Sequence, residues 1–441
     1  MTPPASVTAR AVLTVFLPFA AGYYLSYLFR SVNAVIADRL QVDLGLGAAE
    51  LGLLSAAYFV AFAAFQLPLG LLLDRFGPRK VHGILLLIAS AGATLFALGE
   101  GLLALWLGRA LIGLGVSGGL MASFKAITQW FPERRWAVIN GLFLAMGGLG
   151  AITSTLPVEA LLQVTDWRGL FVLLAAATFG VSLLIFLVVP ERKSFRHAPP
   201  LHSQLQGIRA IYTDRFFWRI APVACLCMST SLSINSLWVG PWLRDVGGFG
   251  RGDLASTLFF MTCAMTAGFI FWGTLAERLE RRGISVAVTM GSGTVFFLTA
   301  LLLLSVQWSP DALWPWIFFG FFSNVTTLGY TLLTRHFPLT HSGRAQTAFN
   351  VLVFIGAFAT QYAMGGIIAL WPPLESGRAP PEAYVAAFGV FTLTCSAAFV
   401  WFLAQARHAP TVHRRGVNRS ARATDSGPFE RYRSGGQGPD D

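Results

Sequence analysis

The sequence predicts an all-α integral membrane protein with twelve transmembrane helices arranged as two pseudo-symmetric six-helix bundles. Three observations predict it. Of 441 residues, 55% are hydrophobic and only 12% charged, and a soluble enzyme with a large core would carry more charge on its surface. Apolar runs of the roughly 20 residues that a bilayer demands recur twelve times along the chain. The two groups of six also echo one another in sequence, the mark of a duplicated unit.

Taken in order, residues 1–10 are short and polar. Arg10 precedes an apolar run, as in a signal peptide, but the run continues to about Ala37, long enough to span. It is read as helix 1, uncleaved. Apolar segments follow at about 48–73, 81–98, 102–130, 136–162 and 167–189. They complete an N-terminal six-helix bundle, residues 1–189. A stretch with Pro190, Pro199, Pro200 and several basic residues is read as a linker, 190–214. Six further segments, at about 216–243, 253–276, 284–307, 312–335, 345–370 and 383–405, form a second bundle over residues 215–406. The tail, 407–441, is basic, contains Gly and Ser, and is expected to be disordered.

The net charge of +11 does not point to nucleic acid. The basic residues lie in loops and tail, with no basic-aromatic domain. If the N-terminus is cytoplasmic, 24 of the 32 Lys and Arg residues fall in or beside cytoplasmic segments and five (Arg39, Arg168, Arg244, Arg251 and Arg378) in external loops. That asymmetry predicts that both termini and the linker are cytoplasmic. Arginine far outnumbers lysine, the usage of a GC-rich bacterial genome, so a bacterial inner membrane is the expected location. Cys225, Cys227, Cys263 and Cys395 all lie in apolar segments. Cys225 and Cys227 point about 200° apart on a helix, so neither a disulfide nor a metal site is expected. No metal-ligand cluster, phosphate loop or nucleophile–base set is visible, so the chain is not expected to be an enzyme or to need a cofactor.

The stretch from Gly70 to Lys80 joins the second and third apolar runs. Gly70 and Gly77 allow close approach or a turn, and Asp74 can pair with nearby arginines or a helix N-terminus. Arg75, Arg79 and Lys80 hold the turn on the cytoplasmic side. The spacing G-x-x-x-D-R-x-G-x-R-K resembles the loop between helices 2 and 3 of the major facilitator superfamily of secondary transporters, with every position filled. The resemblance covers about residues 10–406 and implies two halves related by an axis along the membrane normal. It also implies that the Asp74 loop latches the cytoplasmic side. A weaker copy, Gly273, Glu277, Arg278, Arg281 and Arg282, follows 203 residues later, and Trp130-Phe131-Pro132 is echoed by His336-Phe337-Pro338 206 residues later. The first is read as the second-half gating loop.

A charge inside a bilayer costs roughly 2.5–3.5 kcal/mol on insertion scales and by default marks function. Apart from Arg168, Arg219 and Arg335 at span edges, three cations fall inside the predicted spans: Arg30, Arg109 and Lys125. Tyr23, Tyr27 and Arg30 share one helical face. Arg30 precedes Asp74 by 44 residues, about the distance at which the family's anion-transporting branch carries a helix-1 arginine, which implies a substrate grip. The alternative is an arginine reaching the outer headgroups. Arg109 begins a stretch similar to the family's helix-4 motif; a pocket role and a structural hydrogen-bonding role both fit. Related organic-anion symporters place an acid where this chain has Val116, a departure that sets aside a proton mechanism copied from them. Lys125 is a substrate candidate or a cation reaching the cytoplasmic interface. In helix 7, Asn235 and Trp238 are the second-half candidates.

Helix 5 lacks the G-P-x-x-G-G pattern of drug/proton antiporters. The expected function is secondary active transport of a small organic solute, an organic anion or carboxylate-bearing metabolite, by alternating access. An exporter of drugs or amphiphiles is the alternative, and a non-transporting sensor the second. The expected partners are the solute, a coupling proton or ion, and the lipid bilayer; nucleic acid is not one, and a monomer is the expected unit.

Overall fold

A computed structural model describes residues 9–132, 135–191, 209–337, 339–375 and 377–406. Most of the predicted linker (192–208) and the predicted tail (407–441) lie outside the described residues. Among the described residues, twelve helical spans run in chain order. Helix α1 is Ala9–Ser31 continued by Asn33–Leu44; α2 and α3 are 48–76 and 78–98; α4 is Leu102–Trp130. Helix α5 is Trp136–Thr153 continued by Leu156–Leu161, and α6 is Trp167–Val188. The second half repeats the series: α7 Arg215–Asp245, α8 Arg251–Arg281, α9 Val286–Ser305, α10 Trp314–His336, α11 Leu339–Ile368 and α12 Pro381–Ala406.

Eleven described helices are long and apolar enough to cross a membrane, and a shorter apolar helix, Ile139–Thr153, lies in α5. The chain is an integral membrane protein. The expected single segment over 136–162 is two pieces, because Pro157 sits at the start of the second and lacks the N–H that a continuous helix needs there. Helix α1 runs past its expected end to Leu44 and is interrupted at Val32.

The turn between α2 and α3 is as tight as the sequence predicts. It is made at one residue, Gly77, with φ +78° and ψ 163°, and helix resumes at Pro78. A side chain there would be strained. Gly70 is different: a Cβ added to it would meet nothing within 4 Å, so in this conformation it is not a point of close approach.

The structure corrects the register of the internal repeat. The second-half turn residue is Gly283, with φ +88°, and the acid that reaches across to the next helix is Glu280, bonded to Arg335 of α10. Its first-half counterpart is Asp74, bonded to Lys125 of α4. Asp74 and Gly77 therefore match Glu280 and Gly283, both 206 residues on, the same offset as Phe131-Pro132 and Phe337-Pro338. The expected copy at Gly273 and Glu277 is out by one helical turn. Glu277 instead makes an i,i+4 pair with Arg281 at 2.5 Å, and a Cβ on Gly273 would meet open space.

The two halves touch toward the end opposite the Gly77 turn, here called the far end; the other is the basic end. At the far end backbones meet across the halves. A Cβ on Gly240 of α7 would lie 2.1 Å from the Ala34 carbonyl oxygen, one on Gly365 of α11 2.6 Å from that of Ala48, and one on Gly52 of α2 3.0 Å from that of Gln361. Small residues at helix interfaces allow such contact in lipid. Arg244 of α7 bonds Asp38 of α1 at 2.6 Å, again a pair 206 residues apart. Ion pairs at the basic end include Asp74–Lys125, Lys80–Glu191 at 2.7 Å, Glu280–Arg335 and Asp214–His336 at 3.2 Å, each within one half. The cross-half contacts close the far end.

Candidate substrate site between the halves

Arg30 sits two residues before the α1 interruption and faces the other half. Its guanidinium carbon lies 4.6 Å from the ring centre of Tyr27, 5.4 Å from Phe62 of α2 and 5.3 Å from Phe354 of α11. Phe62 and Phe354 stack across the halves with centroids 4.1 Å apart. Among the described residues no carboxylate is within 4 Å of Arg30, and its Nε is buried without a hydrogen-bond partner. Aromatic faces attract a desolvated cation by up to about 2 kcal/mol, but they do not neutralise it.

Polar groups surround this cation. The Tyr58 hydroxyl donates to the Ser26 carbonyl at 3.3 Å, and the phenols of Tyr58, Tyr27 and Tyr23 are close enough to Arg30 to act on it electrostatically. A chain of amides crosses between the halves. Tyr330 of α10 donates to Asn350 Oδ1 at 2.7 Å, Asn350 Nδ2 donates to Gln66 Oε1 at 3.4 Å, and Gln66 Nε2 donates to the Ser117 carbonyl at 3.3 Å. Tyr330 is itself within electrostatic range of Arg30 and Tyr27.

The sequence candidates divide. Arg30, Tyr27 and Tyr23 come together: Tyr27 packs edge-on against Tyr23 at 5.0 Å, and Tyr23 is buried against Phe143 at 4.6 Å, behind the front row. Arg109 is placed differently. It is 1% exposed, and both its Nη atoms donate to the Phe29 carbonyl at 3.4 Å. That carbonyl lies just before the helix break, so Arg109 supports α1 from behind, the structural alternative raised by its sequence. Lys125 is at the basic end on Asp74, away from Arg30. In α7, Asn235 donates to the Ser231 carbonyl at 2.8 Å within a π-helical turn, with its own Oδ1 buried and unpartnered. Trp238 is 1% exposed, donates to the Gln361 carbonyl at 3.1 Å and packs on Gly52 and Gly365. It belongs to the far-end closure rather than to the group around Arg30.

Sequence reading missed Tyr58, Phe62, Gln66, Tyr330, Asn350 and Phe354. Two of the sets had a visible signal. Tyr58, Phe62 and Gln66 are four residues apart on one face of α2, and Asn350 and Phe354 are four apart on α11.

In the gating loop, Asp74 pairs with Lys125 rather than with an arginine. Arg79 donates to the Phe186 carbonyl, Lys80 takes Glu191, and Arg75 lies over the ring of its neighbour Phe76 at 5.3 Å. The Asp74–Lys125 pair is partly exposed, 45% and 24%, so it contributes at most about 1 kcal/mol of stability. Asp74→Asn is accordingly expected to leave the melting temperature nearly unchanged while slowing transport and raising cysteine accessibility at the basic end. The charge swap Asp74→Lys with Lys125→Asp should recover part of the rate. Normal transport and accessibility in Asp74→Asn would remove the loop from gating.

Residues 19–361 match the Major Facilitator Superfamily, and the chain belongs to that family, one of transporters rather than enzymes. Among curated relatives, the probable sulfoacetate transporter SauU of Cupriavidus necator is 26% identical over 61% of this chain and 66% of its own length. A quinolone resistance transporter of Acinetobacter baumannii is 29% identical over 51% of this chain and 57% of its own length. The probable L-galactonate transporter of Escherichia coli is 30% identical over 47% and 43%. The match thus spans under two thirds of each of these relatives. Among solved structures, a bacterial homolog to the human lysosomal transporter Spinster, inward-facing and occupied, superposes with a TM-score of 0.74 at 18% identity, covering 91% of this chain and 98% of that one. That likeness shows the fold alone.

Proposed function

We propose that this protein is a secondary active transporter that carries a small organic carboxylate by alternating access. One observation carries the reading: Arg30 lies between the two halves, held by rings from both, with no acid partner among the described residues. A cation in a low-dielectric cavity is costly when the cavity is empty and favourable to an anion, because Coulomb attraction grows as water is excluded. Guanidinium also grips carboxylate through two parallel hydrogen bonds. The hydroxyls and amides of Tyr58, Tyr330, Asn350 and Gln66 suit a solute that is polar beyond its charge, as a sugar acid is. The relatives named for sulfoacetate and galactonate agree with that class. The asymmetry of Lys and Arg supports a cytoplasmic basic end in a bacterial inner membrane.

A second reading is export of amphiphiles. The aromatic cage around Arg30 and the quinolone-named relative favour it. A panel separates the two. Purified protein in proteoliposomes is tested for uptake of, and thermal stabilisation by, sulfoacetate, L-galactonate and glucuronate, with neutral hexoses and a quinolone alongside. A carried ligand stabilises by RT ln(1 + [L]/Kd), about 2.7 kcal/mol at one hundred times Kd. At least one acid is expected to stabilise and to be taken up, with the hexoses inert. Response to the quinolone alone, or to none of the acids, would sink the carboxylate reading.

A further inference from the structure

A cavity lies outside the central site, at the far end. It has a volume of about 650 Å3 and sits over the closed contact between the halves. Small-ligand sites run from about 300 to 1,000 Å3. Asp38 and Gln41 of α1, Arg244 of α7, and Trp371 and Arg378 from the connection between α11 and α12 are among its walls.

Arg244 is held by two edges with different neighbours. Its Nε and Nη2 donate to Asp245 at 2.5 and 3.0 Å, and Asp245 accepts from the Tyr384 hydroxyl at 2.7 Å. That edge stays within the second half. Its Nη1 reaches across to the first half and donates to Asp38 Oδ1 at 2.6 Å and Gln41 Oε1 at 3.1 Å. So one edge is anchored, and the other already grips a carboxylate that is the protein's own. More positive charge stands near. Arg251 is 3.5 Å from Asp38, and Arg378 approaches the Arg244 carbonyl at 3.5 Å with no carboxylate in ion-pair reach among the described residues.

We propose that this cavity is a capture site for the carboxylate-bearing solute, whose carboxylate replaces Asp38 on the Nη1 edge of Arg244 and so releases the far-end closure. The inference rests on the transport reading above and adds a second binding station with its own residues. Asp38 is both the latch and the competitor. Since it is tethered, an arriving acid must outcompete an effective concentration in the millimolar range, so capture is weaker than binding at Arg30. Gripping the solute and unfastening the halves are then one event.

Equilibrium binding of labelled glucuronate, L-galactonate and sulfoacetate to the purified full chain in nanodiscs tests this. Arg30→Ala, which disables the central site, should leave one weak class of site for the acid that wild type binds. Adding Asp38→Asn removes the competitor and should tighten that class about tenfold, the worth of one charge-assisted hydrogen bond. Adding Arg378→Gln instead should weaken it by a similar factor. Arg378 is exposed and holds no acid, so this variant is expected to fold; Arg244→Gln is less suitable, since it leaves buried Asp245 unpaired. An Arg30→Ala/Asp38→Asn protein that melts normally yet binds none of the acids overturns the capture site and leaves the transport reading standing. Residual binding that ignores both Asp38→Asn and Arg378→Gln overturns it as well. If wild type binds none of the three acids, the carboxylate reading falls and this one with it.

Discussion

Arg30→Ala is expected to abolish transport and weaken binding of the carried acid by at least about a hundredfold. A buried charge-assisted hydrogen bond is worth roughly 1.5–3 kcal/mol, and a carboxylate on a guanidinium makes two. Expression and melting should stay close to wild type. Removing one member of a buried ion pair strands the other, but among the described residues Arg30 has no acid to strand, and its rings pack on one another without it. Arg30→Lys keeps the charge and loses the planar fork, so it should bind the acid about tenfold more weakly than wild type. Glucuronate, L-galactonate and sulfoacetate binding, measured with the melting temperature of each variant, checks this. Normal transport by Arg30→Ala would make Arg30 a headgroup anchor. A lost fold would make it structural.

Gly240→Val is expected to stop turnover with the protein still folded. A Cβ at position 240 would sit 2.1 Å from the Ala34 carbonyl oxygen, far inside contact distance, and that oxygen belongs to the other half. The substitution therefore leaves each bundle intact and forbids only their meeting at the far end. The population should shift to the conformation in which that end is open. Moving a two-state equilibrium from 99:1 to 1:99 takes about 5.5 kcal/mol, which a backbone clash of this size can supply. An impermeant thiol reagent applied from outside should label a cysteine at Gln41 faster in the Gly240→Val background than in its absence. The same experiment tests the orientation, since a reagent excluded from the cytoplasm reaches Gln41 only if the far end is external. Unchanged labelling with normal uptake would show that α1 and α7 do not close on one another.

Much of the fold was legible in the sequence because lipid leaves a chain few choices. Backbone groups must be satisfied within the helix, so each apolar run of span length is a helix, and the order of runs and turns follows. Gly77 was legible as a turn for the same local reason. The Gly273–Glu277 echo was misread, since a three-residue shift along a helix preserves its apolar character and similar residues recur in both registers. The positive φ at Gly283 and the reach of Glu280 to Arg335 distinguish the registers. The central site was half legible. Arg30 and Tyr27 announce themselves as polar residues in an apolar run, whereas Phe62 and Phe354 look like any lipid-facing or core phenylalanine.

By itself, then, the sequence determined that the chain is a duplicated twelve-helix membrane protein and that the charges deep inside its spans are positive. Those properties depend on composition, period and local backbone conformation, which neighbours along the chain decide. Tertiary structure alone decided what each charge meets. Arg30 and Arg109 are the same residue at similar depth, yet one has rings from both halves around it and the other caps the Phe29 carbonyl. The difference comes from which helices stand opposite, across 80 residues for Arg109 and Phe29 and across the two halves for Arg30 and Phe354. Packing also decided that Asp38 and Arg244, each near the far end of its own helix, meet at the contact between the halves.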